Sequence, residues 1–186
     1  MIGKHNPAEP AGVDLKAALS AMLDEVLTGL EESFHDLSGD QAWRRTFPDK
    51  HAVGTMVMHL LETLDAYTCR FQSGRNCLEH QERFDIWRLP DGSKPEAGAD
   101  LPSVGEMVES VRKLRRHAMA PLESATEDDL RGPRHCEGWW LERGRTAADA
   151  YLRAIGHATA HVRQIWLTRG AMGLTPGQGW PEQHLA

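Results

Sequence analysis

The sequence predicts an all-α protein built as a four-helix bundle. Three observations carry this. Four stretches place apolar residues at three- and four-residue steps, helix-capping residues stand near their starts, and no stretch shows a strand pattern of comparable strength. Four long amphipathic helices bury their stripes by packing on one another. The 186 residues read as one domain, 1–186, with 1–12 as an N-terminal extension and 171–186 as a C-terminal tail. No repeat at solenoid periods interrupts that reading.

The first helix is expected from about Asp14 to Phe34, where Leu15, Ala18, Leu19, Met22, Val26 and Leu30 form the stripe and Asp14, Glu25, Glu31 and Glu32 face water. Gly39 and Pro48 break the rhythm, and the second helix then runs from about Ala52 to Phe71, stopping near Ser73-Gly74. Residues 73 to 102 carry Gly74, Pro90, Gly92, Pro95, Gly98 and Pro102 and form the longest irregular stretch, with room for a short helix over Cys77 to Trp87. A connection this long can cross a bundle, so the second and third helices need not be antiparallel neighbours. Ser103 with Glu106 makes a capping box for the third helix, whose stripe is Val104, Met107, Val111, Leu114 and Ala118 and whose end is placed near Pro121. After a turn-rich stretch with a possible short hairpin around Gly138-Trp139-Trp140-Leu141, Thr146 opens the fourth helix, which runs to Gly170 as its C-cap.

Composition narrows the function. A net charge of -6 leaves no basic patch suited to nucleic acid, and no run of about 18 apolar residues suggests a membrane span. The first ten residues lack the basic and apolar segments of a leader, so a cytoplasmic protein is expected. Cys69, Cys77 and Cys136 match no paired zinc spacing and read as free thiols.

Ten histidines are many for this length, but His5, His51, His80, His135 and His184 lie in loops where exposure explains them. His157 and His161 differ. Four residues apart on the fourth helix, they lie within about 40° of each other and one turn apart, so one metal ion can reach both. Ala150, Ala154, Ala160, Gln164 and Thr168 fall near their face, whereas Tyr151, Ile155, Val162 and Trp166 fall opposite. Two histidines at this spacing also serve as surface or hydrogen-bonded groups, so a third is needed to make the case. His59, at the edge of the apolar face formed by Val53, Met56, Leu60, Leu64, Tyr67 and Phe71, supplies it from the second helix. Three imidazoles in the bundle core suit Zn²⁺, Ni²⁺ or Fe²⁺ and leave coordination positions open for water or substrate.

Met58-His59-Leu60-Leu61-Glu62-Thr63-Leu64-Asp65, together with Gly156-His157-Ala158-Thr159-Ala160-His161-Val162-Arg163-Gln164-Ile165 and the helix-one exit Leu37-Ser38-Gly39-Asp40-Gln41-Ala42-Trp43, resembles the DinB/YfiT-like superfamily of metal-binding four-helix bundles. The resemblance implies an up-down-down-up bundle, often a homodimer. It also implies His59, His157 and His161 as ligands, with zinc or nickel typical. Relatives of that kind include enzymes that use low-molecular-weight thiols such as bacillithiol or mycothiol for S-transfer or isomerisation. By that analogy the chain is a metal-dependent thiol S-transferase acting on a small electrophile. A metal-dependent hydrolase is the runner-up, and a non-catalytic metal- or ligand-binding stress protein is the alternative of a different class.

Other chemistries find less support. A di-iron bundle needs Glu-x-x-His on two helices, and only Glu32-Ser33-Phe34-His35 matches. No Gly-x-Ser-x-Gly elbow or Gly-x-x-x-x-Gly-Lys loop occurs. Cys136 beside His135 reads as an inert thiol. The run Arg112-Lys113-Leu114-Arg115-Arg116-His117 reads as a solvated face that can steer anions, and Trp139 and Trp140 read as packing groups or a pocket cap. The large residues Tyr151, Ile155, Val162 and Trp166, opposite the histidines, suggest a fourth helix buried on both sides, one of them under a second bundle.

Overall fold

The computed structural model describes residues 14–48, 50–78, 101–133 and 146–174. It is an all-α structure. Helix α1 spans Leu15–Glu32, short α2 spans Gly39–Trp43, and α3 spans Val53–Asp65. A π-helical turn over Ala66–Arg70 continues α3 into α4, Phe71–Ser73. Then come α5, Val104–Ser124, short α6, Glu127–Arg131, and α7, Ala147–Ala171.

The helix starts follow from local hydrogen bonding. The first N–H groups of a helix lack internal partners, and a short polar side chain can accept from them. Asp14 caps α1, while Ser38, Ser103, Thr126 and Thr146 form full capping boxes with Gln41, Glu106, Asp129 and Asp149. The ends use left-handed glycines. Gly74 (φ 75°) ends α4, and Gly173 (φ 77°) ends α7 in a Schellman motif. There the Leu174 N–H donates to Arg169 O at 3.1 Å and the Gly173 N–H to Gly170 O at 3.0 Å. Gly170 is therefore inside the last turn, three residues before the cap glycine. Pro121 likewise does not end α5, because the fully buried Leu122 carries the helix one more turn to Ser124.

α1 packs against α5 and α7, and α3 packs against the same two helices, which makes a closed ring around one core. Asp24 pairs with Arg115 and Glu31 with Arg112, so α1 and α5 run antiparallel. His59 meets His157 and Tyr67 meets Arg153, so α3 and α7 do too. Most of the expected stripes are buried, with Leu15, Ala18 and Val104 half-buried; on α1, Leu23 and Leu27 go inside, and Met22 lies 42% exposed at the stripe's edge. Each buried leucine stabilises by about 1.5–3 kcal/mol relative to an exposed one.

Trp43 makes two close approaches, one of them to α3. The Trp43 indole lies against Gly54, where a Cβ would come within 2.9 Å of three ring carbons, so only glycine fits. The same indole donates from Nε1 to Pro102 O at 3.1 Å, tying α2 to the entry of α5. Residues 79–87 of the expected short helix, the Gly138–Leu141 hairpin, Trp139, Trp140 and Cys136 lie outside the described residues. The described ends of that stretch, Pro133 and Thr146, pair in an isolated antiparallel bridge.

Candidate metal centre

α3 and α7 bring His59, His157 and His161 together. On α7 the four-residue spacing stacks His157 over His161, with ring centroids 4.6 Å apart. His59, crossing from α3, lies 5.0 Å and 5.1 Å from them, and all three pairs meet edge to face at 70–79°. His59 Nε2 is 2.9 Å from His157 Nε2, and one ring nitrogen from each histidine lies within 4.8 Å of the others. Nitrogens around a tetrahedral cation at about 2.0–2.1 Å would stand about 3.3 Å apart. Small ring shifts bridge that difference.

Electrostatics prepares the same outcome. Burial, then repulsion from His157, His161 and His51, pushes His59 from 6.5 down to about 4. Burial likewise lowers His157, helped by His161 and Arg153. It lowers His161 as well, against an opposing hydrogen bond to Gln164. At neutral pH all three are uncharged imidazoles, the form that ligates a cation. His161 Nδ1 lies 2.9 Å from Gln164 Oε1; with that oxygen accepting, Nδ1 carries the proton and Nε2 keeps its lone pair. The donor set therefore fits a borderline divalent ion.

The centre sits at the seam between helices rather than deep in the core. All three histidines are half-buried, and Ala160 and Gln164 beside them are exposed. Tyr151, Ile155, Val162 and Trp166 are buried within this chain's own core, which removes the argument that they await a second bundle. Two contributors escaped the sequence reading. His51 is exposed, yet its charge bears on both His59 and His161. Arg153 is held by the Tyr67 hydroxyl, Nε to oxygen 3.2 Å, and acts on His157. The signal for Arg153 was its place one turn before His157.

The other candidates resolve differently. In the basic run, Arg112 pairs with Glu31, Arg115 with Asp24 and Thr28, and Arg116 with Glu109, so those cations are engaged along α1 and α5. His35 faces Asp36 on the surface and meets no second Glu-x-x-His. Cys69 and Cys77 are unpaired by disulfide, as expected. Among the described residues, no helix is long and apolar enough to cross a membrane.

The family model described as the DinB superfamily matches residues 22–165, more than half of the chain and all three histidines. The chain belongs to the DinB superfamily. Its fold is similar to the crystal structure of a conserved protein from Enterococcus faecalis, with a TM-score of 0.64 and 18% sequence identity over 87% of this chain and 99% of that one. That likeness speaks to the fold alone. No curated protein matches.

Proposed function

We propose that this DinB-superfamily chain is a metal-dependent enzyme whose His59, His157 and His161 bind one divalent ion, zinc or nickel before iron, and that it transfers a low-molecular-weight thiol to a small electrophile. The observation that carries the reading is a half-buried cluster of three neutral imidazoles with no fourth His, Cys, Asp or Glu ligand beside it among the described residues. Three protein ligands leave a coordination position open, as in catalytic rather than structural sites. A cation held there would lower the pKa of a bound thiol or water, supplying thiolate or hydroxide near neutral pH.

The chain's own residues do the rest. Gln164 orients His161, and Arg153, held by Tyr67, sets a positive charge at the rim beside His157, where it would steer an anionic reactant. The packing directions of α1, α3, α5 and α7 favour an up-down-down-up four-helix bundle. We also read the protein as a cytoplasmic homodimer with a small-molecule substrate.

The test pairs metal analysis with turnover. His157→Ala should lower bound metal by about one ion per chain. The wild-type protein should consume a model electrophile only when mycothiol, bacillithiol or glutathione is supplied. Turnover with water alone would favour the hydrolase. Full metal occupancy without turnover across the panel would favour a metal- or ligand-binding stress protein.

A further inference from the structure

A second set of ligand-type side chains lies where α3 passes into its π-helical turn. Asp65 is fully buried, at 0% exposure, six residues and about 240° around the helix from His59. Its Oδ1 accepts the Cys77 N–H at 2.8 Å and its Oδ2 the Leu78 N–H at 3.0 Å. Each carboxylate oxygen keeps a further lone-pair site. Cys69, four residues along, lies on the same side. The chain turns back at Gly74 and brings Cys77 to both. A ligand atom from each of Asp65, Cys69 and Cys77 lies within 4.8 Å of the other two.

We propose that Asp65, Cys69 and Cys77 form a second cation site, for a soft divalent ion such as Zn²⁺, that staples the returning chain to the end of α3. The cluster has no Lys, Arg or His paired with its carboxylate among the described residues. The Cys77 thiol is pushed up by its hydrogen bond to Cys69, by burial, and by the neighbouring Cys69 and Asp65. A dication relieves that penalty by displacing both thiol protons to solvent and binding two thiolates and a carboxylate. Two sulfurs with one oxygen select zinc-like ions over magnesium or calcium. Half-buried Cys77 opens the site to solvent, and the side-chain oxygen of Asn76, buried without a hydrogen-bond partner, adjoins it in sequence. π-helical turns recur where a helix is shaped for a task, and this one directly follows Asp65.

Cobalt(II) reports the site, because only thiolate ligands give a sulfur-to-cobalt charge-transfer band and the three histidines cannot. The reduced full-length protein carrying Cys136→Ser should develop that band and saturate at about two ions per chain. Cys77→Ser should abolish the band, weaken binding of that ion more than about 100-fold and spare the histidine-bound cobalt. His157→Ala should leave the band intact. Saturation with cobalt but no thiolate band would overturn the proposal, as would a band that survives Cys77→Ser. Conversion of the pair to a disulfide while cobalt is present would also overturn it. Should Cys69→Ser fail to fold, the half-buried Cys77 position and the unmutated pair still decide the question.

Discussion

Two seams of this molecule are built by the same rule and do different things. Along α1 and α5, leucines and valines meet in the core while Arg115–Asp24 and Arg112–Glu31 pair across the surface, with side chains a quarter to a half exposed. Along α3 and α7, an equally apolar core is bordered by three half-buried imidazoles. At the first seam the polar groups arrive charged and paired, and water screens them. At the second they are uncharged and mutually repelled if protonated, so they are ready for a cation from outside. Polar residues beside a helix stripe thus become a surface fringe or a site according to burial and the sign of their neighbours.

The largest effect should come from emptying the second seam. In the double variant His157→Ala with His161→Ala, the histidine-site metal should be lost, with affinity lowered more than about 100-fold, while far-ultraviolet circular dichroism keeps its helical form. Isothermal titration of the metal-free proteins measures it. Unchanged affinity would mean that the imidazoles are only packed together.

A smaller loss should follow from shifting α3 itself. Gly54→Ala drives a methyl into the Trp43 ring, and overpacking of this kind costs about 1–3 kcal/mol. Hydrogen exchange should quicken along α3, whereas the middle of α1, packed on α5 and α7, should be spared. Equal loss at both seams would mean that they unfold as one unit and the contrast between them is only local.

Acid should separate the seams in the metal-free protein. His59 is held near 4 when folded and takes up its proton near 6.5 when unfolded. Between those values the unfolded chain binds more protons, so stability is retained above about 6.5 and falls as the pH drops toward 4. The urea midpoint followed across that window should decline, and His59→Gln should flatten the decline. A profile identical in the variant would assign the acid sensitivity elsewhere.

The histidine seam was legible because the helical period is strong: a four-residue step on α7 aligns His157 and His161 regardless of what surrounds them, and His59 sits at the edge of a clear stripe. Its depth was not legible. Tyr151, Ile155, Val162 and Trp166 belong to the core face of α7, and of the residues near the histidines Ala150, Ala154 and Thr168 are buried while Ala160 and Gln164 are exposed, so that face runs from interior to rim. The π-helical turn also left no trace, because Leu64, Tyr67 and Phe71 keep ordinary three- and four-residue steps through it. The approach of Cys77 to Asp65 depends on a turn at Gly74 and a buried carboxylate, and neither imposes a period. The capping box at Ser103 was readable, since it needs only residues three positions apart, and Thr146 was readable as the start of α7.

The smallest effect belongs to the first seam. Arg115 reaches Asp24, Glu31 and the Thr28 hydroxyl, yet Asp24 is 54% exposed, and holding long side chains in one arrangement costs conformational entropy. Arg115→Ala should therefore destabilise by less than about 1 kcal/mol, and the difference from wild type should shrink further in high salt. Chemical denaturation by urea at low and high sodium chloride reads both quantities. A loss several times larger and indifferent to salt would show that the guanidinium stem is part of the packing between α1 and α5. The two seams would then differ in which polar groups they carry but no longer in how much the fold depends on them.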